Sequence, residues 1–471
     1  MRFEGKDRYK QKIGRNWFVL LLILLLGISG CADTPRTESG DDEQGNGAAK
    51  PGKVVQEKAD PVIEIGYELF RNAEEAGRMD DLEMFRSIVN QFGNHGYAAV
   101  DGRNQIDMAE PEQVISFCGK VDAKEEGELT ILKINDLEGT LDGIVKYDLK
   151  TEDGEVEAAA SYYKYKDQDM EMVSTAGFHA DRWKYTEDGY LMFSGSYFSE
   201  SFYVLTMSAA SEYAAFRVLP LDETCRELNR KYILPVGYER NNLFLADWNE
   251  NEFGALDFYD LYDLFYPRVN GRQVPYVMDD NLGVGAVYRI PKDEFENVIQ
   301  SYINIDSGTL QSKTVFFPED GTYEYKPRGF YEVENLEYPY PEVVQYTKNS
   351  DGTITLTVNV VFPFAGMSKV YAHEVAVRPL EGGGVQYVSN RIIPSEENQE
   401  GTWHKPRLTP EQWEEMYGTE VLRQKPPGAC SGFAWSWVPA QGMERLNNSL
   451  NPVCFHDIIL SPYVEMGGGY K

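Results

Sequence analysis

Apolar side chains recur at helical spacing between residues 61 and 93: Ile65, Leu69 and Ala73, then Leu82, Phe85, Ile88, Val89 and Phe92. Asp80 and Asp81 suit the start of the second of these helices and Gly93 its stop. A third helix is predicted from Pro111, because proline fits a first helical turn. From about residue 128 to 220 the pattern shortens into strand-like runs, ELTILKI, GIVKYDL, EVEAAASYYKY, YLMFSGSYF and FYVLTMSA. Asp142-Gly143, Asp153-Gly154 and Asp188-Gly189 punctuate them and supply the positive φ that tight hairpins demand.

The alternation then repeats. After Cys225, GALDFYDLYDLFYP and KDEFENVIQSYI predict helices, the latter with Phe295, Val298, Ile299 and Tyr302 on one face. Strands follow over TVFF, TYEY, EVVQYT, TITLTVNVVF, KVYAHEVAVR and VQYVSNRII. In the clearest of them Ile354, Leu356, Val358 and Val360 alternate with Thr355, Thr357 and Asn359, which predicts one buried face and one wet face. Asp320-Gly321 and Asp351-Gly352 mark turns, and a last helix is predicted after Thr409 with Pro410 at its first position. The expected fold is α+β, with helices packed on antiparallel meander sheets in two units, 61–225 and 226–400, and a C-terminal extension over 401–471. No sequence repeat relates the two units.

The first 60 residues read differently. Trp17 to Ile28 is an uninterrupted apolar run of twelve residues, short of the roughly 20 a helix needs to span a bilayer. Arg2, Lys6, Arg8, Lys10, Lys12 and Arg15 precede it, the arrangement of a secretory signal peptide. Ile28-Ser29-Gly30-Cys31 resembles the lipobox of bacterial lipoproteins. That resemblance implies cleavage after Gly30, a diacylglycerol thioether on Cys31, and a place on the extracytoplasmic face of a cell membrane. Two or more acyl chains hold a protein stably there, at ~0.8 kcal/mol per buried methylene. Residues 32–60 contain no aromatic side chain and are rich in Gly, Asp, Glu, Ser and Pro, so a disordered tether is expected. The globular part resembles uncharacterised envelope lipoproteins, and no family of known activity.

Charge narrows the partners. The chain carries a net −31, and loss of residues 1–30 would take it to −35. Phosphate backbones and anionic headgroups are repelled by such a surface, so nucleic acid is excluded and membrane contact is expected through the lipid on Cys31 alone. No metal spacing such as HExxH connects His95, His179, His373, His404 and His456, and neither metal nor cofactor is expected. Cys430 and Cys454 lie in one C-terminal segment and are the expected disulfide, whereas Cys118 ends a helical pattern and should be a small buried hydrophobe.

Candidate chemistry is sparse. His373 alternates with Tyr371, Val375 and Val377, as a core histidine would. His95 sits in the polar loop NHGYAAVDGRN near Asp101 and Arg103, either a site or a well-tied connector. Cys454, His456 and Asp457 are too close along the chain to converge as a catalytic set. Asp257, Asp260 and Asp263, with Asp279 and Asp280 nearby, could supply a glycosidase acid pair, but spacing of three along a helix reads first as a solvated face. Trp435 and Trp437 would share one strand face beside Phe433, forming a sugar platform if exposed and core if buried. The expectation is a non-enzymatic envelope lipoprotein that binds a glycan or a surface protein; the alternative is a carboxylate-dependent hydrolase of envelope glycan.

Overall fold

The computed structural model describes residues 60–417 except 138, 279–284, 333–336 and 400. The signal segment, Cys31, the tether up to residue 59, Asp279, Asp280, Cys430, Trp435, Trp437 and Cys454 lie outside the described residues.

Order begins where Asp60 accepts a hydrogen bond from Val62 N at 3.0 Å and caps α1 (Pro61–Glu75). Asp81 caps α2 (Leu82–Asn94) in the same way, through Glu83 N at 2.9 Å. Both helices cover one face of a five-stranded sheet, formed in spatial order by β1 (Ala98–Asp101), β2 (Gly127–Leu137), β3 (Thr140–Glu152), β4 (Glu155–Lys166) and β5 (Asp169–His179). Phe70, Ile88 and Phe92 meet Leu132, Ile134 and Ile144 on that face. The other face presents Ile131, Val145, Tyr147 and Ala160 to α3 (Pro111–Ala123) and to a three-stranded sheet, β6 (Arg182–Tyr185), β7 (Tyr190–Tyr197) and β8 (Ala210–Arg217). A sheet covered on both sides explains why neighbouring residues of opposite faces are buried together, Ile131 with Leu132 and Ile144 with Val145.

The α+β class holds, and three local expectations change. The loop after α2 contains β1, which is wholly buried and pairs parallel to β2, so the first sheet is not a pure antiparallel meander. Asp142-Gly143 lies inside β3 instead of turning the chain; a Cβ on Gly143 would stand 2.0 Å from the Tyr163 carbonyl oxygen, so glycine is there for close approach. The turn chemistry is genuine at Asp153-Gly154, where φ is +53° and +87° between the paired residues Glu152 and Glu155. FYVLTMSA is not a strand. Ser199 and Phe202 start α4 (Glu200–Thr206), in which Phe202 is buried while Tyr203 and Val204 face solvent.

The second half begins with α5 (Glu223–Leu228) and a π-helical turn, Asn229–Ile233. After β9 (Trp248–Asn249) come α6 (Phe258–Asn270), β10 (Tyr288–Pro291), α7 (Lys292–Gln300), α8 (Ser307–Ser312), β11 (Phe316–Phe317) and β12 (Thr322–Tyr325). Then β13 (Tyr340–Lys348), β14 (Ile354–Phe362), β15 (Met367–Pro379) and β16 (Val385–Ile393) form an antiparallel meander that β9 completes at its far edge. One core runs through this half, joining Leu261, Phe265 and Ile299 to Val358, Val375 and Trp403. Trp403 is fully buried and stacks on Tyr371 at 6.1 Å, so the expected boundary at residue 400 is wrong: the chain is core until past Trp403 and ends its described part in α9 (Pro410–Tyr417).

Polar groups join the halves. Arg217 of β8 meets Glu342 of β13 at 2.5 Å with both side chains buried, and Tyr190 OH donates to the same carboxylate at 2.7 Å. Asn104 adds bonds to Arg217 N at 2.9 Å and from its amide to Tyr340 OH at 3.0 Å. Cys118 and Cys225 are free and buried, and burial pushes their thiols up to about 12 and about 11. No helix among the described residues is long and apolar enough to cross a membrane.

Replacing Gly143 by alanine should destabilise the first half by about 3 kcal/mol or more, because backbone opposes the new methyl group and cannot be moved cheaply. The same substitution at Gly177, where a Cβ meets nothing within 4 Å, should change the urea midpoint little; equal effects at the two positions would contradict the close approach.

Candidate functional site

The second half carries a cleft of about 560 Å³ on the outer face of its large sheet. Its floor follows from strand register. Thr355, Ala376, Ser389 and Asn249 lie opposite one another across β14, β15, β16 and β9, and Glu374 pairs with Arg391 in the neighbouring row. Asp247, Glu252 and Gly254 complete the wall.

The wall is a closed turn held by its own amides. Asn249 N and Glu252 N each donate to the other residue's carbonyl, at 2.9 and 3.0 Å, and Asn249 Oδ1 accepts from Asn251 N at 2.9 Å. Glu250 between them receives both Nη atoms of Arg378, at 2.7 and 2.9 Å, which holds its carboxyl below the usual range. Gly254 returns the chain at φ +55°, where a Cβ would press on the Asp247 carbonyl at 2.7 Å. Trp248 is buried and donates to the Leu243 carbonyl at 2.8 Å, so it anchors the wall and offers no platform.

Beneath the floor lies His373. It is fully buried, stacks on Phe244 at 5.2 Å, and has both ring nitrogens bonded: Nδ1 to Asn390 Oδ1 at 2.6 Å and Nε2 to Tyr238 OH at 2.9 Å. Asn390 donates its amide to the Ala246 carbonyl, so its oxygen accepts from Nδ1–H and Nε2 accepts from the tyrosine. Burial drives the imidazole down to about 4, and a neutral ring satisfies every bond. His373 is thus the core histidine that the strand pattern predicts, and it stiffens the strand on which Ser389 and Arg391 stand.

Three carboxylates against one guanidinium line the cleft, with hydroxyls from Thr355 and Ser389 and the Asn249 amide. Such a lining suits a ligand rich in hydroxyl or amine groups and disfavours anions. Two of the acids are already engaged, Asp247 by Ile392 N at 2.6 Å and Glu374 by Arg391. Among the described residues no group of three or more His, Cys, Asp or Glu side chains could hold a metal ion.

The acids of α6 behave otherwise than expected. Asp257, Asp260 and Asp263 form a ladder, but not a solvated one. Asp257 caps the helix; Asp260 is buried and takes Arg328 on both oxygens, at 2.9 and 2.6 Å, and Arg407 Nε at 2.6 Å. Asp263 accepts from Arg407 Nη2 at 2.6 Å and from Tyr325 OH. Burial pushes Asp263 up to about 6 against the opposing pull of Arg407 and the tyrosine. Arg407 comes from the segment after Trp403, so the ladder clasps the end of the core to α6.

Residues 52–407 match the family of unknown function DUF6070. The chain belongs to that family. The DUF6070 match takes in the whole cleft and ends at Arg407, the residue that closes on the ladder. Neither a curated protein nor a solved structure matches the chain.

His95 lies apart from the cleft. It ends α2, is exposed, and directs Nδ1 to its own helix at the Gln91 carbonyl, 2.8 Å away. Asp101 is buried and gathers the amides of Arg103, Gln105 and Ile106 at 2.8–3.1 Å, while Arg103 pairs with Asp136. These bonds tie the loop to itself and to β2. Sequence reasoning flagged the wet face of β14 that carries Thr355 but missed Asp247, Asn249, Glu252, Glu374, Ser389 and Arg391. The run WNENEFG, asparagine-rich and closed by glycine, was the available signal.

Two outcomes follow. Arg407→Leu should cost about 3 kcal/mol at pH 7.5, since it strips a buried carboxylate of a partner. The loss should shrink at pH 5, where Asp263 takes up a proton; urea unfolding at both pH values measures it, and an equal loss would count against the clasp. For His373 the folded value lies below the unfolded one of 6.5. Its stabilisation is therefore complete above pH 6.5 and disappears toward pH 4, by up to about 3 kcal/mol. His373→Gln should flatten that part of the stability curve.

Proposed function

We propose that this DUF6070 member is a lipid-anchored extracytoplasmic binding protein. Cys31 carries the anchor, residues 31–60 form the tether, and the cleft over β14, β15, β16 and β9 takes a hydroxyl- or amine-bearing ligand of the cell envelope, a glycan being the best fit. The observation that carries this reading is the cleft itself. Its polar groups are fixed by sheet register, by the Glu250–Arg378 pair and by the His373–Asn390 bond, so the site is built before any ligand arrives. An acidic lining favours neutral or cationic sugars over phosphate-bearing polymers.

A hydrolase acting through carboxylates is the second reading, because Asp247, Glu252 and Glu374 share the cleft. Binding is favoured over it, since Asp247 and Glu374 are already held by a backbone amide and by Arg391.

Titration of the mature protein with cell-wall glycan fragments, followed by calorimetry and by product analysis, tests both readings. Ala376→Trp fills the floor of the cleft and should weaken binding at least about tenfold. Undiminished binding in that variant moves the ligand elsewhere, and release of shorter fragments by the wild type selects the hydrolase. Separately, Cys31→Ser should abolish acylation and release the protein from membranes; unchanged processing and retention would sink the anchor.

A further inference from the structure

Residues 198–207 expose four large apolar side chains on a protein of net charge −31. Phe198 is 72% exposed, Tyr203 49%, Val204 71% and Met207 84%. Phe198 and Tyr203 pair their rings at 5.7 Å, and Met207 is held outward at φ +57°, a conformation that a non-glycine residue rarely adopts. Between Phe198 and Ser208 the single charge is Glu200, and the other polar groups are the hydroxyls of Ser199, Ser201, Tyr203, Thr206 and Ser208. An apolar surface fringed by hydroxyls and nearly free of charge suits the boundary between headgroups and acyl chains.

The place of this segment in the fold says what it meets. β7 ends at Tyr197 and β8 begins at Ala210; the two residues pair, so everything between them projects past the end of that sheet. Just inside, Glu212 accepts from Tyr147 OH of β3 at 2.7 Å. The adjacent residue of β3, Lys146, points to the opposite face and holds Asp60 at 2.6 Å. Asp60 is where the chain enters the fold, 29 positions after Cys31. The entry point and the root of α4 thus lie at one level of the same strand, separated by layers spaced about 10 Å apart.

We infer that the α4 segment docks on an electrically neutral bilayer surface. This rests on the lipid anchor proposed above: an acyl group on Cys31 would hold the membrane on a tether of 28 residues, 32–59, whose r.m.s. reach of about 30 Å exceeds the layer spacing between Asp60 and the segment that bears Phe198, Tyr203, Val204 and Met207. Docking by these groups would fix how the acidic globule stands on the surface, with anionic lipid opposing it.

Hydrogen exchange tests the docking independently of acylation. Full-length mature protein with a C-terminal hexahistidine tag is held on phosphatidylcholine vesicles containing a nickel-chelating lipid, and the mass of Cys31 peptides is read separately for the anchor. Amides of residues 198–208 should exchange about tenfold more slowly on vesicles than in solution, and the 349–353 turn should not change. Val204→Ser with Met207→Ser, both at exposed positions, should abolish the protection. Equal exchange on and off vesicles, protection that survives the double substitution, or protection that appears in solution as protein concentration rises would each overturn the inference, the last by assigning the surface to a second copy.

Discussion

The fold turns on a charged pair placed where charge is costly. Arg217 and Glu342 meet between β8 and β13 with almost no solvent contact; Tyr190 donates to the same carboxylate, Arg217 Nε to the Leu219 carbonyl, and Asn104 accepts from the Arg217 backbone. Removing either partner would leave an uncompensated buried ion, which is far worse than an exposed pair lost. The junction therefore joins the halves through geometry. Three large apolar clusters, two in the first half and one in the second, keep their own side chains, and a small fourth of Tyr190, Met192 and Val361 spans the junction.

Much of this was legible in the pattern of side chains. The helices at Pro61 and Leu82 carry both a capping aspartate and a periodic apolar face, and two such cues agreeing are hard to mislead. Strands buried on both faces were found as runs rich in Val, Ile and Tyr. β5 escaped because, as an edge strand, it buries little and leaves most of its residues wet. FYVLTMSA misled for the opposite reason: its composition favours a strand, but no neighbouring strand is present beyond the sheet end, and a short capped helix satisfies its backbone instead.

The site was less legible, and the reason is physical. A cleft floor is assembled from single residues on β14, β15 and β16 plus a turn more than a hundred positions earlier, and no local periodicity encodes that meeting. The α6 aspartates were visible at once as a row of acids. Their pairing with Arg328 and Arg407 was not, because the partners come from distant chain and reverse the meaning of the row from solvated to internal. Acidity in this protein thus has two separate uses, a dispersed surface charge and a few carboxylates that tie remote segments.

The burial of Trp403 bears on how the chain comes to its final state during synthesis. The apolar clusters of the first half are made of residues before 220, so those contacts are available early as the chain emerges from the N-terminus, while buried Arg217 and Tyr190 wait for Glu342. The second half closes later: its core stays open until Trp403 and Arg407 have emerged, and its outermost strand, β9, waits for β16. A chain of this design therefore passes through a stage in which the first half has its apolar clusters and the second still exposes aromatic surface. In that interval the acidic charge spread along the sequence keeps neighbouring chains apart while the slower half closes.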